Sequence, residues 1–178
     1  QGTYYENLII QKSIYLLSRA VFDDLSTWME YNDGYVVANY NIKNTIIDGD
    51  GSSGSVLYIE TPSGGNCTAP TIQGFTIQNG SNFNGGGIYC LGSSPTIMHC
   101  TITGNSAVEG GGIFSYFSSE TITNCILWND SPGEIAVSSG DGPTASYSDI
   151  QGGYTGTGNI DANPLFCAPD SGDYTLAE

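Results

Sequence analysis

Side chains that could serve as a base or bind an anion are scarce in this sequence. Lys12, Arg19, Lys43 and His99 are its only basic residues. A polysaccharide lyase needs a base to remove a proton and a cation to neutralise the carboxylate of a uronic acid. His99 occupies a repeated position where other copies have Gly or Asn, and no clear partner accompanies it. The sequence therefore predicts no catalytic residue of the lyase type.

Carboxylates are plentiful, and a glycoside hydrolase needs two of them about 5 to 10 Å apart on one face. Three pairs are close enough in sequence or repeat position to be considered: Asp23 with Asp24, Asp48 with Asp50, and Asp130 with Asp149. Asp48 and Asp50 flank Gly49, and Asp-Gly is a common turn pair. Turn formation is the simpler interpretation there, so enzymatic activity is open but is the less favoured hypothesis.

The same turn, together with Asp141 before Gly142, provides oxygens for the metal ion that the sequence suggests. Asp48 and Asp50 supply carboxylate oxygens, and Ca²⁺ takes about six to eight oxygen ligands in proteins. The Gly-Gly-x-Gly-x-Asp repeat of calcium-binding β-rolls does not occur. Ca²⁺ at this turn is the only cofactor hypothesis, and a simple turn without a metal is the alternative.

Aromatic side chains offer another kind of chemistry, because exposed rings can stack on the faces of sugars. Trp28, Tyr31 and Tyr35 fall within residues 20–41, an irregular stretch predicted to be a loop that leaves the repeated scaffold. Such loops often carry the specific contacts of repeat proteins. Together with Trp128, these residues are candidate ligand-binding residues, and packing in the core is the alternative.

Charge narrows the range of partners. Asp and Glu number 18 against 3 Lys and Arg, for a net charge of −15. Such a surface repels phosphate backbones and anionic lipid headgroups, so no nucleic acid is expected as a partner. The sequence contains no run of 18 apolar residues, so membrane insertion is not predicted either. Only 12 % of residues are charged and 25 are Gly, which is typical of β-rich secreted or cell-surface proteins.

A repeat of about 25 residues organises the chain. Gly85–Tyr89 recurs as Gly110–Phe114, and Thr96–Ile102 recurs as Thr121–Leu127. Within each copy, apolar and polar residues alternate as in a strand with one buried face. Gly and Pro separate these runs, which suits turns. One copy alone cannot bury its apolar face, so the pattern predicts an all-β solenoid of stacked coils.

Stacked coils place equivalent side chains above one another, about 4.8 Å apart. Two interior columns are predicted on this basis. The first column is aliphatic and consists of Ile77, Ile102, Leu127 and Ile150. The second column holds one ring and two thiols, from Phe75, Cys100 and Cys125.

The five cysteines are odd in number, so at least one is free or pairs outside this chain. Cys100 and Cys125 share a repeat position, which favours a role as small apolar core residues. Cys67 and Cys90 lie near the same corner of successive coils and are the candidates for a disulfide. Cys167 is left over.

The repeated strings Gly85–Tyr89, Pro95–Ile102 and Thr121–Leu127 resemble the right-handed parallel β-helix, or pectin-lyase-like, repeats of bacterial secreted and surface proteins. The stretch Asn159–Cys167, followed by Gly172–Leu176, resembles the last coil of such proteins. The resemblance implies a right-handed, single-stranded parallel β-helix of about seven coils with roughly 25 residues each. It implies no single activity, because the superfamily contains lyases, hydrolases, adhesins and inert stalks.

The domain prediction is one β-helix over residues 1–178, taken as a segment of a longer chain. Residues 20–41 are predicted as an irregular excursion, and residues 153–178 as a degenerate C-terminal coil.

The favoured function is a non-catalytic extracellular module, such as a stalk, an adhesin or a fibre-forming subunit. Its expected partners are copies of itself placed end to end, or further coils of the same chain. The alternative is a carbohydrate-active enzyme or a polysaccharide-binding domain of the pectin-lyase-like type.

Overall fold

The structure is a computed structural model, and it describes residues 2–18, 29–32, 35–38 and 45–176. Three parallel sheets form its body, and strands are numbered in chain order. The first sheet, sheet A, contains β1 (Gly2–Tyr5), β6 (Thr45–Asp48), β9 (Thr76–Gln78), β12 (Thr101–Thr103), β15 (Ile126–Trp128) and β18 (Asp149–Ile150).

Two further sheets complete each coil. Sheet B contains β2 (Leu8–Ile10), β7 (Leu57–Glu60), β10 (Ile88–Leu91), β13 (Ile113–Tyr116) and β16 (Ile135–Ser139). Sheet C contains β3 (Tyr15–Leu17), β8 (Thr71–Gln73), β11 (Thr96–Met98), β14 (Thr121–Thr123) and β17 (Thr144–Ser146). The chain visits sheets A, B and C in turn, so the fold is the predicted parallel β-helix.

The described residues form five complete coils and the first strand of a sixth, fewer than the seven expected. Two stretches pair antiparallel instead of joining the coils. One is the hairpin of β4 (Met29–Asn32) with β5 (Tyr35–Ala38), inside the predicted excursion. The other is the hairpin of β19 (Phe166–Ala168) with β20 (Asp173–Leu176), within the stretch predicted as a degenerate coil.

The interior is built from side chains in register on successive coils. Ile102 pairs with Ile77 on one side and with Leu127 on the other, and Leu127 pairs with Ile150. All four are at most 1 % exposed. Phe75, Cys100 and Cys125 are also buried, so the second column lines the same interior.

From the second coil onward, sheets C and A are joined by turns of two residues, the first of which is left-handed. This position holds Gly74, His99, Asn124 and Tyr147, with φ values of 80°, 52°, 53° and 50°. Gly and Asn tolerate this conformation best. His99 is exposed here and shapes the turn, which accounts for its appearance at a Gly or Asn position.

The Gly-Gly-Gly strings lie where coils approach one another closely. A Cβ on Gly86 would stand 2.5 Å from the carbonyl oxygen of Ser106 and 2.8 Å from that of Gly111. Such distances leave no room for a side chain, so glycine is required by packing at this point.

The C-terminal end of the coil stack is covered by the chain itself. Ile150 donates its N–H to the carbonyl of Ile160 at 3.0 Å, and Ile160 donates to the carbonyl of Ser148 at 2.9 Å. Tyr154 packs against the core, and Asn159 accepts the N–H of Ser148 at 3.1 Å.

The described part of the chain includes no helix of the length and apolarity needed to span a bilayer.

Candidate binding surfaces

A row of aromatic rings runs along the outer face of sheet B. Tyr58, Tyr89 and Phe114 are in register on β7, β10 and β13. Their ring centroids are 5.1 and 5.3 Å apart, and neighbouring rings meet edge to face, which is a favourable geometry for aromatic pairs. We call these three residues the aromatic row. Leu57, Ile59, Ile88 and Cys90 on β7 and β10 are fully buried, so alternation places Tyr58 and Tyr89 outside, where they are half-buried. Phe114 on β13 is only 2 % exposed, so Tyr58 and Tyr89 are the accessible rings of the row.

The surroundings of the aromatic row are apolar, with a carboxylate at one side. Ile9 lies in register with Tyr58 and is 68 % exposed, and Phe117 is 63 % exposed beside Tyr116. Burial, followed by the nearby Glu60 carboxylate, raises the pKa of Tyr58 to about 12. Glu60 also accepts a hydrogen bond from Gln11. The face therefore combines flat rings with polar groups at its edge, as sugar-binding surfaces require.

A second candidate is a polar cleft between sheet A and the C-terminal hairpin, with a volume of about 430 Å³. Asp48, Gln78 and Asn79 line it from the sheet, and Asp170 and Tyr174 line it from the hairpin. The hairpin turns through a 3-10 helix over Pro169–Ser171, after which Gly172 adopts a left-handed φ of 75°. We call this space the hairpin cleft.

Acidic groups give the hairpin cleft its electrostatic character. Burial raises the pKa of the Tyr174 hydroxyl, and the carboxylates of Asp48, Asp130 and Asp170 raise it further. The Tyr174 ring is held against Phe166, with centroids 5.2 Å apart. The cleft therefore favours ligands that donate hydrogen bonds and disfavours anions.

The two residues predicted to bind Ca²⁺ lie at one turn, with different surroundings. Asp48 is buried, and its carboxylate accepts hydrogen bonds from Gln78 Nε2 at 2.7 Å, Asn79 Nδ2 at 2.9 Å and the N–H of Asp50 at 2.8 Å. Asp50 is exposed in the turn. These N–H donors point at the oxygens that a cation would need. Among the described residues, no three His, Cys, Asp or Glu side chains are grouped so that they could hold a metal ion.

A pair of buried carboxyl groups lies at the turn that follows β15. Asp130 Oδ1 accepts the backbone N–H of Asn105 at 2.7 Å and its Nδ2 at 2.9 Å. Burial raises the pKa of Asp130 to about 6. Burial and the neighbouring Asp130 raise that of Glu134 to about 9. Asp149, which the sequence suggested as a partner for Asp130, accepts the N–H of Ala162 with its carboxylate at 3.1 Å.

Another carboxyl group is enclosed between sheets B and C. Glu120 is 1 % exposed and accepts a hydrogen bond from Ser115 Oγ at 2.7 Å. Burial raises its pKa, and burial together with Glu120 raises the pKa of the Cys90 thiol well above its usual value. Glu120, Asp130 and Glu134 are therefore interior groups with a structural role rather than groups presented to a substrate.

The predicted Cys67–Cys90 disulfide is not formed. Cys90 faces the interior beside Glu120, whereas Cys67 is exposed and its Sγ lies 3.5 Å from Ser94 Oγ. The two side chains point to opposite sides of the coil wall, which explains why sequence proximity to one corner was misleading. Cys100 and Cys125 are buried as free thiols, and Cys167 is exposed.

Of the four predicted ligand-binding residues, the structure fully describes Trp128, and it does not lie on the aromatic row. Trp128 lies in β15 of sheet A, in register with Thr103, and is half-buried. Tyr31 and Tyr35 belong to the β4–β5 hairpin, of which the structure describes only the backbone. Trp28 lies outside the described residues, as do Asp23 and Asp24.

Neither surface was predicted from the sequence, for identifiable reasons. Tyr89 and Phe114 are separated by one repeat, and that spacing could have revealed their shared outer position. Tyr58 is displaced by a longer connection in its coil, which hid the third member of the row. The hairpin cleft depends on where the C-terminal hairpin folds back, and no repeat spacing encodes that.

No family model, no curated protein and no solved structure matches the chain.

Proposed function

We propose that this chain is a non-catalytic extracellular β-helix module of the pectin-lyase-like type, which adheres to neutral polysaccharide through the aromatic row. The observation that carries the proposal is the row itself. Tyr58 and Tyr89 present rings on the outer face of a rigid sheet, in register and only half-buried. Rings fixed in this way lose little conformational entropy when a sugar stacks on them.

The burial of carboxyl groups with raised pKa values supports a non-catalytic role. A glycosidase uses a carboxyl of raised pKa as its acid, and this group must reach the substrate. In the part of the chain that the structure describes, Glu120, Asp130 and Glu134 have raised pKa values but are at most 7 % exposed. Burial also raises the pKa of Asp149, which is partly exposed, but its carboxylate accepts the N–H of Ala162. Glu120, Asp130 and Glu134 accept hydrogen bonds inside the coil stack and do not reach solvent.

The net charge supports a neutral ligand. At −15 the molecule repels pectate, alginate and other polyanions over distances of about a Debye length, roughly 8–10 Å. Glu60 beside Tyr58 adds a local negative charge at the aromatic row. Neutral β-glucans, xylans and mannans meet no such barrier.

The covered C-terminal end favours lateral adhesion over fibre formation by stacked copies. Fibre growth from head to tail needs strand edges that accept a further coil. The edge of β18 is already hydrogen-bonded to Ile160, and Tyr154 packs against the core beneath it. We therefore place the adhesive contact on the side of the rod.

A depletion assay with insoluble cellulose, xylan, mannan and chitin tests this proposal. We expect wild-type protein to bind at least one of them, and Tyr58→Ala with Tyr89→Ala to weaken binding about tenfold or more. Tyr147→Ala is the matched control, because Tyr147 is also exposed (62 %) but lies at the corner between sheets C and A. Circular dichroism melts verify that the variants are folded.

Two outcomes would contradict the proposal. Binding that is unchanged in the double variant would remove the aromatic row as the adhesive surface. Release of reducing sugar or unsaturated uronate by the wild-type protein would favour the alternative of a carbohydrate-active enzyme.

A further inference from the structure

We infer that the hairpin cleft is a second, separate binding site, which holds a neutral pyranose unit by its hydroxyl groups. This inference rests on the proposed function in one respect, namely that the ligand is a glycan. The two sites lie on different sheets, since the hairpin cleft is formed on sheet A and the aromatic row lies on sheet B. Each can therefore be altered without changing the other.

An unsatisfied acceptor in the cleft wall indicates a ligand. Gln78 is 7 % exposed, and its Nε2 donates to Asp48 Oδ2 at 2.7 Å, which fixes the orientation of the amide. Its Oε1 is buried and has no hydrogen-bond partner in the described structure. Buried carbonyl oxygens are paired in most proteins, because leaving one unpaired is unfavourable. Gln78 lines the cleft, and a small adjustment of the wall that uncovers Oε1 would let a ligand hydroxyl provide the missing donor.

The other polar groups of the cleft select the same ligand. The Asp48 carboxylate is buried and already accepts three N–H groups, so the acceptors that remain for a ligand are the exposed Asp170 carboxylate on the hairpin and Gln78 Oε1. These acceptors suit sugar hydroxyls, which donate hydrogen bonds. They would repel the carboxylate or sulfate of an acidic sugar.

Aromatic rings at the cleft supply a stacking surface. Tyr5 lines the cleft and is 66 % exposed, and Tyr174 lines it from the opposite side. The volume of about 430 Å³ lies in the range of small-molecule sites and is suited to about one or two sugar units. Flat rings with acceptors between them are the pattern of a sugar subsite.

Titration calorimetry with soluble cellohexaose, xylohexaose and mannohexaose tests the inference on the full chain. We expect Tyr5→Ala to weaken the binding of at least one oligosaccharide by about tenfold. Tyr15→Ala should change it by less than about twofold, because Tyr15 is 80 % exposed on sheet C and away from the cleft. Both tyrosines are surface residues of the first coil, so neither change should lower the melting temperature.

A second variant tests selectivity. Asp170→Asn removes one negative charge from the cleft and should increase the binding of hexagalacturonate relative to that of the neutral oligosaccharides. An unchanged ratio would contradict the assignment of Asp170 to this site.

The outcomes separate this inference from the proposed function. If Tyr5→Ala leaves binding unchanged while the Tyr58 and Tyr89 changes abolish it, the hairpin cleft is not a sugar site and the aromatic row stands. The reverse pattern overturns the aromatic row and retains the hairpin cleft. If the wild-type protein binds none of the soluble or insoluble glycans, both are overturned.

Discussion

Glu134 Oε1 accepts the backbone N–H of Asp130 at 3.2 Å, which places two acidic side chains together inside the coil. Both are nearly inaccessible, at 5 % and 7 % exposure. Asn105, one coil earlier, donates two N–H groups to Asp130 and so favours its ionised form. For Glu134, burial and the neighbouring Asp130 outweigh the hydrogen bond from the Asp130 N–H and keep its proton in place. The pair links neighbouring coils with one negative charge rather than two.

Stability should therefore fall with rising pH. The pKa of Glu134 is raised from 4.5 to about 9 in the folded protein, so the fold binds a proton that the unfolded chain releases. The contribution of this group is fully present below about pH 4.5 and is lost as the pH rises through about 9. We expect the melting temperature to decrease across this range, as measured by circular dichroism.

The Glu134→Gln variant tests the assignment of this pH dependence. It keeps the shape and hydrogen-bonding capacity of the side chain without a titrating group, so its pH profile should be flatter and its melting temperature higher at pH 8. Glu109→Gln changes an exposed acid and should leave the wild-type slope intact. A Glu134→Gln profile that is parallel to wild type would show that this pair does not titrate as described.

Truncation of the aliphatic column should be costly. Ile102 is fully buried between Ile77 and Leu127, so Ile102→Ala should lower the free energy of unfolding by about 2–5 kcal/mol. Val108→Ala, at a side chain that is 59 % exposed, should change it by less than about 0.5 kcal/mol. Urea unfolding curves give both values, and equal losses would contradict the assignment of Ile102 to the core.

A methyl group at the closest approach of two coils should also destabilise the fold. Gly86→Ala would place a carbon 2.5 Å from the Ser106 carbonyl oxygen, and we expect a loss of about 1–3 kcal/mol. Gly133→Ala is the matched control, because no atom lies within 4 Å of its added methyl. Thermal melts of the two variants should differ clearly. Similar melting temperatures would show that the coils can separate at Gly86 without cost.

Thiol labelling should distinguish the cysteines by location. Cys67 and Cys167 are exposed, whereas Cys90, Cys100 and Cys125 are buried. Maleimide treatment of the native protein should therefore add two labels, and treatment in denaturant should add five. Mass spectrometry of peptides locates each label. Recovery of a linked Cys67–Cys90 peptide would contradict the structure and support the disulfide expected from the sequence.

The interior columns were predictable because register follows from a repeat spacing. Ile77, Ile102 and Leu127 recur at one interval, and a solenoid turns that interval directly into contact. The described residues form five complete coils and the first strand of a sixth, where about seven were expected, for a related reason. Alternation shows that a segment forms a strand, but it does not show whether its neighbour runs parallel or antiparallel. The β19–β20 hairpin has the alternation of another coil, yet it pairs with itself.

The polar interior was not predictable from spacing. Glu120 follows a Ser-Ser pair between two strands, where a sequence pattern indicates a solvated turn. Its burial depends on the hydroxyl of Ser115 reaching it at 2.7 Å across the coil, and this contact appears only in three dimensions. The hairpin cleft also depends on a long-range approach, that of the C-terminal hairpin to sheet A.

The spacing of the coils has a consequence for how such a molecule can change its length. Because Tyr89 and Phe114 occupy identical positions in neighbouring coils, an in-frame duplication of residues 76–100 would insert one more turn and leave every sheet continuous. Each duplication would lengthen the rod by about 4.8 Å and add one ring to the outer face. The length of the rod and the number of aromatic rings along it would then increase together, one coil at a time, without any new fold having to evolve.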